Sequence, residues 1–331
     1  MKKLLYISLL FCLAQSGSLA ETVSVTLIEE SGKPIAEAEV TVRFQSIKRT
    51  EFTERTGKTD ATGSIQFTDS SSFGLEVSAK KLGYYSVETP SLLAPHTDLE
   101  LIFEMRQVED PTQLFAVGEH TLVFPAKDQP LGFDLKESEW LPPFGNGKIA
   151  DLYFTYSAEF TGFSLSEEEL AEAKEYSRQR TSQDGEEWSE EEFQNRVGNW
   201  SGRLRIDFDD SFAGINENSD EYHLYSALRL PAKAPIDEYQ TSMVVSSTFL
   251  APISEMPDRG YFIRSRIQRD EDGEVIGSNY SKINRNIHFD PRGYIVWDYY
   301  FNSITNSRNL EFSTREGSKI RKAGIDPPKL P

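Results

Sequence analysis

The sequence predicts a mainly β protein built from two β-sandwich domains, the second larger and interrupted by two helices. Three observations carry this expectation. Apolar and polar residues alternate at period 2 along most of the chain, clusters of Gly, Pro, Asn and Asp punctuate that alternation, and the period becomes helical only over 164–200. At 331 residues the chain is long enough for two ordinary domains with cores of their own.

The first twenty residues read as a secretory signal. Lys2 and Lys3 precede an apolar run from Leu4 to Ala14, and Ser18-Leu19-Ala20 places small residues where a signal peptidase reads. The run is shorter than the ~20 residues a spanning helix needs, and no later stretch is longer, so no transmembrane segment is expected in the mature chain. Phe11 precedes Cys12 where a lipidation signal carries a small residue, so a lipid anchor is not expected. Cys12 is the single cysteine, and its removal leaves neither a disulfide nor a thiolate ligand. The expected location is outside the cytoplasm: periplasmic, cell-surface or secreted.

Residues 21–107 form the first expected domain. Val23, Val25 and Leu27 alternate, Ser31-Gly32-Lys33-Pro34 turns the chain, and Ala38, Val40, Val42 and Phe44 resume the pattern, which predicts two strands and their turn in one antiparallel sheet. Further short strands follow at Phe52–Gly57, Ile65–Phe67, Phe73–Ala79, Tyr85–Val87 and Leu99–Met105. Gly32, Gly63 and Gly83 fall at turns that call for a positive φ angle. Seven short strands separated by turns describe a sandwich.

The run G-x-P-I-x-x-A-x-V-x-V at Gly32–Val42, T-D-x-x-G-x-I-x-F at Thr59–Phe67 and V-x-A-x-x-x-G-Y at Val77–Tyr84 resemble a carboxypeptidase regulatory-like domain, a sandwich of transthyretin type. Glu37 stands where that family often has Gly or Asn. The resemblance implies an accessory module of exported proteins and carries no catalytic residue across.

Residues 108–129, with Asp110-Pro111 and Phe124-Pro125, read as a linker, and 130–331 as the second, β-rich domain. The Gly- and Pro-rich stretch 130–147 predicts ordered loops in which Trp140 and Phe144 plug a core edge rather than form a ligand platform. A strand spans Ile149–Phe160. Ser166 with Glu169, and Ser189 with Glu192, then write two capping boxes. Leu170, Ala173 and Tyr176 give the first helix an apolar face, and Phe193, Val197 and Trp200 the second. Their clustered glutamates complement helix N-termini rather than bind metal. Strands are expected again at Arg203–Phe208, His223–Leu230, Thr241–Phe249, Gly260–Gln268, Glu274–Asn279, Lys282–Phe289, Gly293–Phe301 and Asn309–Ser313, with Asp270-Glu271-Asp272-Gly273 as a hairpin turn and not a calcium loop. The Pro-rich tail from Asp326 has no regular structure.

The formal charge is −18, and about −20 once Lys2 and Lys3 are removed, which argues against nucleic acid and anionic membranes as partners. The last 71 residues, 261–331, hold 12 Lys+Arg against 9 Asp+Glu, leaving 23 against 44 elsewhere. No serine-nucleophile elbow, zinc-helix motif, phosphate loop or dinucleotide fingerprint occurs, and His96, His120, His223 and His288 lack ligand spacing. No cofactor or metal is called for.

The most suggestive strand is Tyr294–Phe301. Ile295, Trp297, Tyr299 and Phe301 share one face, the core; Tyr294, Val296, Asp298 and Tyr300 share the other, where a carboxylate between tyrosines suits a sugar ring and its hydroxyls. The same parity places Arg264 and Arg266 opposite Ile263 and Ile267, and Asn284, Asn286 and His288 opposite Ile283 and Ile287. Tyr294, Asp298, Tyr300, Arg264 and Arg266 are therefore the candidate ligand-binding residues. The expected function is an exported, non-catalytic binding or structural surface protein whose second domain takes a saccharide or an extracellular protein. The alternative is a secreted polysaccharide hydrolase, because a pair of carboxylates roughly 5 to 10 Å apart leaves no sequence signature.

Overall fold

The computed structural model describes residues 20–45, 52–70, 74–90, 92–93, 98–184, 189–218, 222–248 and 259–312. The expected signal segment before Ala20, together with Phe73, His96, Phe249 and the tail beyond Phe312, lies outside them. The protein is mainly β, with two helices among the described residues, and its sheets pair face to face as sandwiches. It forms two compact units: residues 1–107 with Tyr225–Ala227, and the remainder. Among the described residues no helix is long and apolar enough to cross a membrane.

The first unit holds β1 (Ala20–Ile28), β2 (Glu39–Gln45), β3 (Phe52–Lys58), β4 (Ser64–Ser70), β5 (Gly74–Lys80), β6 (Val87–Glu88), β7 (Leu92–Leu93) and β8 (Leu99–Glu104). One sheet runs β4-β1-β8, the other β3-β2-β5-β6 with β7 also on β5. Here the expectation of a single antiparallel sheet through Thr22–Phe44 is corrected, because β1 pairs β4 and β8 while β2 pairs β3 and β5. The connection is too long for a tight hairpin and crosses between sheets, so that Val23, Val25 and Leu27 face Val40, Val42 and Phe44 through one core. The crossing is fixed by Thr59, whose buried hydroxyl donates to the Ile35 carbonyl (2.7 Å) and accepts from the Ala38 amide (3.0 Å). Glu37 enters β2 at φ 56°, the left-handed region. Gly63 has φ 76°, and a Cβ there would stand 2.5 Å from the Leu27 carbonyl oxygen, so only glycine fits. Tyr225–Ala227 completes this unit: the Glu88 amide donates to the Tyr225 carbonyl (2.9 Å), the Ala227 amide to Ser86 (2.8 Å), and the Tyr225 ring meets Phe103 edge-on at 5.7 Å.

The second unit contains β9 (Phe115–Val123), β10 (Leu131–Asp134), β11 (Glu139–Trp140), β12 (Leu152–Gly162), α1 (Glu167–Asp184), α2 (Glu190–Val197), β13 (Asn199–Asp207), β14 (Gly214–Asn218), β15 (Ser242–Thr248), β16 (Gly260–Arg269), β17 (Val275–Ile283), β18 (His288–Asp290) and β19 (Tyr294–Asn302). Its sheets run β11-β10-β12-β13-β15 and β14-β16-β17-β19-β18, with β9 also on β19. The stretch read as a linker thus contributes a strand: β9 pairs β19 from Val123↔Tyr294 to Phe115↔Phe301. β19 is central, flanked by β9 on one edge and by β17 and then β18 on the other. Trp297, Tyr299, Phe301, Phe133, Phe154 and Phe289 are buried between the sheets. Trp140 packs edge-on against Phe133 and donates its indole N–H to the Val123 carbonyl, whereas Phe144 is exposed.

Four further expectations change. β17 is one continuous strand rather than two, β14 is a strand the alternation does not predict, and His223–Leu230 and Asn309–Phe312 form irregular segments joined to the fold by isolated bridges. Both capping boxes form, Ser166 with Glu169 and Ser189 with Glu192. Tyr176 points to solvent and Ser177 is buried instead, so the inward face of α1 is rotated from the one its apolar spacing suggests.

Candidate functional site

The five candidate residues do not form one surface. Tyr300 is enclosed: its ring stacks on Phe312 at 4.9 Å, and the Lys282 ammonium sits 5.3 Å from its centroid. Segments 222–224, 228–234 and 309–312 lie over this side of β17 and β19, with Leu228, Leu230 and Leu310 buried and the Tyr222 hydroxyl donating to the Asn284 carbonyl (2.8 Å). Burial, then the Asp298 charge, pushes the Tyr300 hydroxyl up. Asp298 is buried beside Arg285 at 3.4 Å, a charge contact without hydrogen-bond alignment. Tyr294 lies toward the other end of the strand, its hydroxyl accepting from Arg292 (3.0 Å). An open tyrosine face is thereby replaced by a covered one, because stretches that alternate like strands in sequence fold over it as irregular segments.

Arg264 and Arg266 point to opposite faces. β16 pairs Ser265↔Asn279 and then Gln268↔Gly277, so two residues oppose one, and Arg266 takes φ 52°. This β-bulge breaks the period-2 parity, and Ser265 and Arg266 both reach Asp151. Arg264 stays on the outer side, donating to the Phe212 and Ile236 carbonyls, its guanidinium 4.4 Å from the Tyr239 centroid. Arg266 turns inward over the Phe301 ring (4.7 Å) and donates to Asp134 (2.7 Å) and to both oxygens of Asp151 (2.9 and 2.7 Å). Burial raises the Asp134 carboxyl, but amides from Lys148, Glu137 and Ile149 and the Arg266 charge outweigh it and hold the group below its ordinary value. Every oxygen in this triad is bonded, and it clamps the loop 134–151, which marks a structural device rather than a place for a ligand.

A different place has the shape of a site. On the sheet without β19, a groove of about 710 Å³ is lined by Asp128, Ser157, Ala158, Glu159, Ser201, Gly202, Arg203, Ser246, Ser247 and Thr248. Leu152, Phe154 and Tyr156 of β12 and Leu204 and Ile206 of β13 face the core, so Ser157, Glu159, Ser201 and Arg203 face out by alternation. Cross-strand register aligns them in two polar rows, Glu159↔Ser201↔Thr248 and Ser157↔Arg203↔Ser246, separated by Ala158↔Gly202↔Ser247. Gly202 is required by packing: a Cβ would lie 2.9 Å from both the Pro291 Cβ and the Ser157 carbonyl oxygen. Asp128, at φ 57°, closes one flank, its amide donating to the Tyr156 carbonyl (2.9 Å). Burial and the Asp128 charge raise the Tyr156 hydroxyl. Ser201 donates to Glu159 (3.3 Å), and Lys127 lies 5.4 Å from the Trp200 centroid. The two outward rows thus offer four hydroxyl side chains, Ser157, Ser201, Ser246 and Thr248, beside two carboxylates and a guanidinium. None of the five predicted residues lines it. The outward polar parity of β12, β13 and β15 was readable strand by strand, but the register that aligns the rows was not.

No protein-family profile and no curated protein matches the chain. Among solved structures, similarity is found to 3-chlorocatechol 1,2-dioxygenase from Rhodococcus opacus 1CP (13% identity, 27% of this chain and 60% of that one, TM-score 0.24). It is also found to catechol 1,2-dioxygenase from Pseudomonas arvilla C-1 (11%, 30% and 56%, TM-score 0.24) and to hydroxyquinol 1,2-dioxygenase from Pseudomonas putida DLL-E4 (9%, 29% and 59%, TM-score 0.23). The matches span under two thirds of those enzymes, and at these scores they bear on neither fold nor chemistry.

Proposed function

We propose that the protein is an exported, non-catalytic binding protein whose second unit takes a saccharide in the groove across β12, β13 and β15, with the first unit an accessory module of carboxypeptidase regulatory-like type. The observation that carries the reading is the pair of polar rows: hydroxyls that both donate and accept, with Glu159 and Asp128 as acceptors, match the vicinal hydroxyls of a sugar chain. The Gly32, Gly63 and Gly83 turns, all at positive φ, support the module reading, and the signal-like leader supports export.

A glycan panel followed by calorimetry tests it. Ser201→Ala and Ser246→Ala each remove a hydroxyl from one row and should weaken binding roughly five- to tenfold, as one lost hydrogen bond does. Binding of no glycan, with capture of an extracellular protein instead, would replace the saccharide by a protein partner. The hydrolase alternative draws on Asp128 and Glu159 lining one groove. Release of new reducing ends from a bound polysaccharide, abolished in Glu159→Gln, would establish it and end the non-catalytic reading.

A further inference from the structure

Resting on that reading, we infer that the saccharide carries a carboxylate, as a uronic acid unit does, and that Arg203 is the residue that selects it. Among the described residues the other arginines are spoken for. Arg205, two residues along the same outward face, is held by Asp207 (2.8 Å) and Ser242 (3.3 Å). Arg43, Arg106, Arg259, Arg266, Arg269 and Arg292 each bond a carboxylate. Arg264 and Arg308 are spent on carbonyls. Among the described arginine side chains, Arg203 alone makes no hydrogen bond or ion pair within the chain, and it is the one that lies in the groove. Its place there is central: Ser157 and Ser246 oppose it on the two neighbouring strands.

A planar guanidinium presents paired N–H donors in the geometry of a carboxylate, and a hydroxyl on each side supplies donors and acceptors for the adjoining ring oxygens. Of the two acids lining the groove, Glu159 is one row away and already accepts from Ser201, and Asp128 stands on the flank. The protein's own charge of −18 sets the density of the ligand's charge: a chain with isolated acid units is admitted, whereas a dense polyanion is repelled. This assigns Arg203 a role that a hydroxyl-lined groove for neutral sugar would not need.

The test compares calorimetric affinities of the intact protein for three oligosaccharides of equal length: a neutral one, one bearing a single uronate, and one bearing a single sulfate ester. Wild type should prefer the uronate chain over the neutral chain about tenfold at low salt, with the preference shrinking as salt rises. Arg203→Gln should weaken both but bring their ratio to about one, and Arg203→Lys should restore part of the preference. Equal wild-type affinities for uronate and neutral chains, a preference that survives Arg203→Gln, or tighter binding of the sulfate ester overturns the inference while leaving saccharide binding intact. Failure of all three chains to bind strikes the underlying reading and the inference with it.

Discussion

Arg266→Met removes the cation from two carboxylates that are almost wholly buried, Asp134 at 1% and Asp151 at 3% exposure, while keeping most of the side-chain volume over Phe301. Breaking a buried pair by deleting one partner destabilises by about 3–5 kcal/mol. The lower half of that range applies here. Asp134 keeps four backbone amide donors, from Lys136, Glu137, Lys148 and Ile149, and Asp151 keeps the Leu135 amide and the Ser265 hydroxyl. About 3 kcal/mol in a unit of this size lowers the melting temperature by roughly 6–12 °C. A melt followed by tryptophan fluorescence reads it, since Trp140 sits on the clamped loop. Asp151→Asn alone, and the double variant, complete a cycle in which the coupling should exceed about 1 kcal/mol. A shift under 2 °C in Arg266→Met, or a double variant that loses the sum of the two singles, would refute the clamp.

Trp297→Ala should destabilise by about 3–5 kcal/mol as a core deletion, and Tyr300→Ala by about 2–4 kcal/mol, because its ring is enclosed by Phe312 and Lys282; a Tyr300→Ala melt equal to wild type would restore the open-face picture. Asp134 and Asp290 are both buried, which raises them, yet amide donors and Arg266 or Arg292 hold them below their ordinary value of 3.8. Their contribution is therefore present above pH 3.8 and lost as pH falls through the lower folded values, so urea midpoints should drop in that acid window, and earlier on the descent for Arg292→Gln. Gly202→Ala should cost about 1–3 kcal/mol through the clash with Pro291 and Ser157, measurable by urea titration; a neutral result would show that the strands part easily there.

Local signals were legible and relational ones were not. The inner face of β19 could be read from Ile295 to Phe301, and both capping boxes from Ser and Glu three apart, because each is decided within one element. Arg264-Ser265-Arg266-Ile267 alternates without a flaw in sequence, and nothing local announces that a residue of β16 is left over opposite β17. Tyr300 reads as exposed because its cover, 222–224, 228–234 and 309–312, alternates like strands in sequence, and nothing local shows that these stretches leave the sheets and fold over β17 and β19. The groove depends on β12, β13 and β15 being neighbours in one particular register, with a helical insertion between the first two and β14 before the third. The outward serines were visible, but their alignment across strands was not.

The return of the chain at Tyr225–Ala227 to the first unit makes that unit discontinuous in sequence. A fragment ending at Gln107 lacks the Tyr225 ring against Phe103 and the hydrogen bonds that continue β6, so it exposes an open strand edge that the intact chain covers. For a chain that emerges N-terminus first from a ribosome, the first unit must wait until Ala227 has appeared before its sandwich is sealed. During that interval the unfinished edge is the place for a chaperone to hold or for two nascent copies to exchange strands.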